Sequence, residues 1–147
     1  MNILVKKVKS SELLEIRSKV LRNSSNYEFC KFVGDNMKSS IHIGVFNDKK
    51  IIGGVSLIKN NSNYKNLTNC YQLRGMCILK DFQKKGIGIK MLIEAESLCK
   101  NLNIENIWMN AREKAANFYL KLNYIDSGIH YEIAGIGLHY FLYKNLK

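Results

Sequence analysis

One continuous stretch constrains the fold more than any other. YQLRGMCIL reads as a strand, QKKGIG turns the chain, and an amphipathic helix then runs from about Gly88 to Leu102. Ile89, Leu92, Ala95, Cys99 and Leu102 recur along one face of that helix. ENIWMNA follows as another strand. A strand, a crossover helix and a second strand form a βαβ unit, whose two strands lie parallel in one sheet.

The rest of the chain adds elements around this unit. NILVKKV reads as a short strand, and SSELLEIRSKVL as a helix opened by a serine cap, with Leu13, Ile16, Val20 and Leu21 at helical spacing. Residues 22 to 40 read as a long loop or a short broken helix. IHIGVF and IIGGVSLI flank NDKK as an antiparallel hairpin, and NNSNYKNLTN is a polar loop. EKAANFYLKL is a shorter helix, with Asn123 where a helix ends in the left-handed conformation. Tyr124 to Lys144 reads as two further strands around AGIG. Proline is absent, so turns rely on Gly, Asn and Asp. The order β-α-β-β-β-α-β-α-β-β contains no repeat and no linker. It predicts one α/β (α+β) domain over residues 1–147, a mixed, mostly antiparallel twisted sheet with helices on both faces.

Composition narrows the function classes. Of the 147 residues 46% are hydrophobic and 24% charged, which suits a soluble globular protein. No apolar run is long enough to span a membrane, and the apolar run at the start is too short for a secretory signal. The four cysteines lie far apart with no C-x-x-C pair, which favours reduced thiols and a cytoplasmic location. The net charge of +11 comes mostly from lysines scattered in runs no longer than two. That pattern points to a general attraction for anionic ligands rather than to nucleic acid.

The glycine turn carries the chemistry. A helix N-terminus after a strand presents unpaired N–H groups and about half a positive charge. Glycines there let a phosphate approach the backbone closely, and each charge-assisted hydrogen bond contributes roughly 1.5–3 kcal/mol. A bare tight turn remains the alternative. A dinucleotide fingerprint would need a third glycine where Met91 stands, and a Walker loop would need Gly-Lys-Ser/Thr; neither is present.

Gln-Lys-Lys-Gly-Ile-Gly after a strand ending RGMCIL resembles the Q/R-x-x-G-x-G/A motif of the GNAT acyltransferase superfamily. LRGMCILKDFQKKGIGIKMLIEAE resembles that family's central strand, pyrophosphate loop and helix. WMNAREKAANFYLKLNY resembles its next strand and helix, with Asn123 in place of the usual glycine and Lys80-Asp81 in place of the common Pro-Glu. The resemblance implies acetyl-CoA as co-substrate, no metal, and a V-shaped splay between the two central parallel strands that admits the pantetheine arm. It also implies that Met76, Cys77 and Ile78 line the arm with backbone groups. The amides of Gln83, Lys84, Lys85, Gly86, Ile87, Gly88 and Ile89 would hold the pyrophosphate, and Asn110 and Asn117 would bond the arm's amides. Gly75, inside the strand, suits a bulge.

The implied reaction is direct attack by the primary amine of a small molecule on the thioester in a ternary complex. Tyr119 matches the family's frequent general acid. His42, His130, His139 and Glu132 are the titratable candidates for a base, and none is singled out. Cys77, in an apolar strand, reads as a buried small hydrophobe rather than an acyl-carrying nucleophile. Arginine is rare here: only Arg17, Arg22, Arg74 and Arg112 occur beside nineteen lysines. Its planar fork suits carboxylate or phosphate, so Arg17, Arg74 and Arg112 are candidates for orienting an anionic group on the acceptor. A non-catalytic acyl-CoA-binding module and an acetyltransferase for a protein N-terminus or lysine are the alternatives. A homodimer, common in the superfamily, is possible.

Overall fold

A computed structural model describes residues 1–147, the side chain of Asn66 excepted. The elements follow the sequence order: β1 (Ile3–Val8), α1 (Leu14–Arg17), β2 (Ile41–Asn47), β3 (Lys50–Lys59), β4 (Cys70–Ile78), α2 (Ile87–Asn101), β5 (Asn106–Arg112), α3 (Glu113–Leu120), β6 (Ile125–Ile133) and β7 (Gly137–Asn145). Seven strands hydrogen-bond in the order β1-β2-β3-β4-β5-β7-β6. The β1–β2, β2–β3, β5–β7 and β6–β7 pairs are antiparallel. The βαβ unit gives a parallel β4–β5 pair, in register at Cys70↔Asn106, Tyr71↔Ile107 and Gln72↔Trp108.

Contacts divide the chain into two compact units, Met1–Lys59 with Leu73–Leu98 and Asn60–Gln72 with Cys99–Lys147. Neither unit is a continuous piece of chain, because β4 and α2 each run from one into the other. That is why no linker can be read in the sequence.

In the first unit β2 and β3 are buried along most of their length. Leu13, Ile16 and Cys77 pack together, flanked by Val8, Val20, Leu21, Ile51 and Leu79. The helix read over SSELLEIRSKVL winds in three ways in succession: a 3-10 turn at Ser10–Leu13, α1, and a π turn at Ser18–Arg22 that ends at left-handed Asn23. Its N-cap is Lys9 rather than a serine, and the Glu12 carboxylate accepts from the Lys9 N–H at 3.1 Å. A side chain from the first turn thus satisfies the end that a serine was expected to cap.

Helix α2 starts one residue earlier than read, at Ile87, and its buried face keeps Leu92, Ala95 and Cys99 but takes in Ile87 and Met91 in place of Ile89 and Leu102. Ile87, Met91, Leu92, Ala95 and Cys99 are buried, whereas Ile89 is 41% and Leu102 54% exposed. The i, i+4 row from Ile87 to Cys99 makes the core contact, and Ile89 is left beside the turn.

In the second unit Cys70, Trp108 and Phe141 form the core with Tyr64, Leu67 and Tyr143 around them. The Trp108 ring stacks on Phe141 at 5.3 Å and its indole N–H donates to the Asn60 carbonyl at 2.8 Å. Helix α3 closes as expected: Asn123 is left-handed (φ 72°), and the Leu122 and Tyr124 N–H groups return to the Tyr119 carbonyl. All four cysteines are buried and outside any disulfide, and among the described residues no helix is long and apolar enough to cross a membrane.

Candidate active site

The glycine turn is built by short-range bonds, among them one from the Gln83 N–H to the Lys80 carbonyl at 3.2 Å. The Leu79 N–H is anchored to the Ile52 carbonyl at 2.8 Å, and a 3-10 turn at Lys80–Phe82 follows. The Gln83 side-chain amide folds back to donate to the Ile78 carbonyl at 2.9 Å, which ties the loop to the end of β4. Lys84 and Gly86 both take left-handed conformations (φ 60° and 80°), so the chain does not wind as a helix until α2 begins. A Cβ added at Gly86 would meet nothing within 4 Å. Space inside the protein is therefore not what asks for glycine there; the positive φ is, together with open access to the backbone.

Gln83, Lys84, Lys85 and Gly86 are exposed, Ile87 and Gly88 are buried, and Ile89 is exposed. The first bond of α2 runs from the Lys90 N–H to the Gly86 carbonyl at 3.3 Å. The N–H groups ahead of it have no helical acceptor, and fifteen residues of aligned peptide dipoles stand behind them. Exposed donors, a glycine without a Cβ and two adjacent lysines fit a pyrophosphate.

On the β4 side of the same unit, Gly75 is left-handed (φ 67°), and a Cβ there would lie 2.5 Å from the Phe32 ring. Both the backbone and the ring therefore demand glycine, and the expected irregularity in the strand is present. Met76 and Ile78 are half-buried and Cys77 is buried. Burial pushes the Cys77 thiol up to about 12, against the pull of the Arg17 charge and the backbone of Gly54. At neutral pH it is a thiol and a poor nucleophile.

Of the acceptor-site candidates, Arg17 lies in the interior. It is 1% exposed, and its guanidinium grips Asp35 with two bonds of 2.7 and 3.1 Å. The same group donates to the Cys30 carbonyl at 3.0 Å and to the Ser56 hydroxyl at 2.8 Å. His42 completes the network: its Nε2 meets the Asp35 carbonyl at 2.8 Å and its Nδ1 meets Ser56 Oγ at 2.7 Å. A carbonyl only accepts, so Nε2 carries the proton, and the Ser56 hydroxyl donates to Nδ1. Both His42 nitrogens are thus committed, which removes it as a base. Burial raises the Asp35 pKa, but the Arg17 bond, the Phe32 N–H and the Arg17 charge outweigh it and hold the carboxyl below its usual range. The apolar setting of Arg17, between Ile16 and Val20, was the available sequence signal; Asp35, Phe32 and Ser56 carried none.

Arg74 is half-buried with its guanidinium 4.6 Å from the centre of the Phe32 ring. In the second unit Arg112 ends β5 and is half-buried in front of α3. Asn110 is exposed within an otherwise buried run of β5, between Met109 and Ala111, and Asn117 is exposed on α3. Tyr119 is buried, edge-on to Phe118 at 5.1 Å and to Tyr124 at 5.8 Å. Among the remaining base candidates, His130 is paired with Asp126 at 3.0 Å and stacked on Tyr140, and Glu132 is exposed. His139 is buried, and its Nδ1 donates to the Gly137 carbonyl at 2.9 Å.

Comparison with known proteins covers nearly the whole chain. The model of the Acetyltransferase (GNAT) family matches residues 11–124. An uncharacterized N-acetyltransferase, YitI of Bacillus subtilis (strain 168), is 31% identical over 143 residues, which is 97% of this chain and 96% of that protein. The crystal structure of a putative N-acetyltransferase from Lactobacillus plantarum superposes with a TM-score of 0.79 over 100% of both chains at 15% identity. That of the PaiA N-acetyltransferase from Thermoplasma acidophilum, in complex with coenzyme A, superposes with a TM-score of 0.67 over 99% of both chains at 19% identity.

Proposed function

Because this chain belongs to the GNAT acetyltransferase family, we propose that it moves the acetyl group of acetyl-CoA to the primary amine of a small molecule, by direct attack in a ternary complex. The observation that supports this reading is the exposed turn ahead of α2, where Lys84 and Gly86 are left-handed and the helix N-terminus follows at Ile87. The amides from Gln83 to Ile89 would hold it, and backbone groups of Met76, Cys77 and Ile78 would line the pantetheine arm. Asn110 and Asn117, both exposed, would bond the arm's amides.

The bound thioester supplies an activated acetyl group; the chain supplies position and charge. Holding both reactants converts an encounter into a local step. A strand N–H aimed at the thioester oxygen would carry the charge that develops as the amine nitrogen bonds to the carbonyl carbon. The carbon–sulfur bond then breaks, and Tyr119 would give its hydroxyl proton to the departing thiolate. Tyr119→Phe is expected to lower kcat about a hundredfold while CoA affinity stays within a factor of about two, because a general acid acts only on the chemical step. Single-turnover rates alongside CoA titration check this, and an unchanged rate removes the role.

The buried Cys77 thiol supports transfer without an acyl-enzyme. Thiol release from acetyl-CoA across a panel of amines tests the reaction itself, and initial velocities at varied acetyl-CoA and amine are expected to intersect. Parallel lines, or an acetyl adduct on the protein seen by mass spectrometry, would replace direct attack with a two-step route.

A further inference from the structure

The first unit gathers three of the four arginines around one aromatic ring. The guanidinium carbons of Arg17, Arg74 and Arg22 lie 3.9, 4.6 and 5.5 Å from the centre of the Phe32 ring. Each is favourably placed against the ring's electron-rich face, but like charges held together repel. A single carboxylate, Asp35, offsets them, and it is committed to Arg17 through two hydrogen bonds. Among the described residues neither Arg22 nor Arg74 has an ion-pair partner. Arg74 is half-buried besides; burial and the charges of Arg22 and Arg17 all work against its ionised form, and only Asp35 favours it. The cluster thus carries two positive charges that the protein leaves unanswered. In a chain that uses lysine almost everywhere else, both belong to planar forks.

The place of the cluster gives it a use. Arg74 stands on β4 two residues before Met76, where the proposed lining of the pantetheine arm begins, and Gly75 between them is forced by the same Phe32 ring. Two residues of strand span about 7 Å, a distance that one small molecule bridges. We propose that Arg22 and Arg74, gathered against Phe32, bind an oxyanion carried by the acceptor, a carboxylate or a phosphate, so that the acceptor is a zwitterionic or anionic amine rather than a polycation. This deepens the acetyltransferase reading and rests on it. Arg17 is a positioning residue here, since it holds Asp35 and the ring and does not reach the ligand. The subsite would also select against polyamines, whose charges meet two guanidinium groups.

The test titrates the CoA-saturated protein calorimetrically with matched amines: amino acids, their methyl esters, aminoalkyl phosphates and spermidine. Thiol release is measured on the same set. The free acids or the phosphates are expected to bind at least about tenfold more tightly than the esters or spermidine, and whichever class prevails names the oxyanion. Arg74→Gln and Arg22→Gln are each expected to weaken that binding about 10- to 100-fold with CoA affinity unchanged. Arg22 is exposed, so its variant keeps the test valid if Arg74→Gln fails to fold. Equal turnover of acids and esters, or insensitivity of the acids to Arg22→Gln, overturns the subsite while leaving acetyl transfer standing. Absence of binding by every anionic member overturns it as well. Arginine-dependent binding of the acids without thiol release supports the subsite and instead removes the acetyltransferase reading.

Discussion

Gly86→Trp is expected to abolish measurable CoA binding, a loss of about a thousandfold or more, in a protein that still folds. Each charge-assisted bond from a backbone N–H is worth roughly 1.5–3 kcal/mol, so blocking two of them removes two to four orders of magnitude in affinity. The cost to the fold is far smaller. A Cβ at Gly86 meets no protein atom within 4 Å, and the left-handed backbone (φ 80°) penalises a side chain by about 1–2 kcal/mol. Gly86→Asn separates the two effects, because Asn tolerates this conformation and is short. It is expected to keep CoA affinity within about tenfold of the original protein. Calorimetric titration with CoA, beside the thermal midpoint of each variant, makes the comparison. Tryptophan at position 86 with full CoA affinity would return the turn to a purely structural role. Gly88 is a poorer probe than Gly86, since it is buried within α2 and a large side chain there would disturb packing.

The second large effect concerns stability. Asp35→Asn is expected to destabilise the protein by about 3–5 kcal/mol, because it leaves the Arg17 guanidinium buried without its counter-charge. Native proteins are stable by only about 5–15 kcal/mol in total, so this is a large share. Replacing both partners, as in Arg17→Met with Asp35→Leu, is expected to recover part of the loss. Recovery would be incomplete, since the Phe32 N–H, the Cys30 carbonyl and the Ser56 hydroxyl each lose a bond. Urea unfolding of the single and double variants measures this. A single variant as stable as the double would show that the pair is not coupled.

The same network sets an acid limit. The folded pKa of Asp35 lies below its ordinary value of 3.8, so the folded state binds this proton less readily than the unfolded chain. The stabilisation is therefore complete above the unfolded value and drains away as pH falls through the folded one. As pH falls through and below 3.8, the original protein should lose stability more steeply than Asp35→Asn, which has no such proton to take up.

Much of the architecture could be read from local pattern. The Gly86 turn, the left-handed Asn123 and the hairpin around Asp48 are each decided by a few adjacent residues, and the structure has them all. The turn ahead of α2 belongs to this class, because a helix N-terminus and glycine φ angles are local properties. The face of α2 was less legible. Ile87, Ile89 and Ile93 are equally apolar, and only the packing around Ile87 and Met91 decides that Ile89 and Ile93 stay exposed.

The sequence by itself determined the element order, the βαβ unit with its parallel strands, and the loop that identifies the family, since all three rest on neighbours along the chain. Tertiary structure alone decided what the arginines do. Arg17 and Arg74 look alike as rare arginines beside apolar residues, yet Asp35, eighteen positions beyond Arg17, claims one guanidinium and leaves the other without a counter-ion. Charge pairing in the interior depends on which groups burial brings within about 3 Å, and no spacing along the chain encodes that distance.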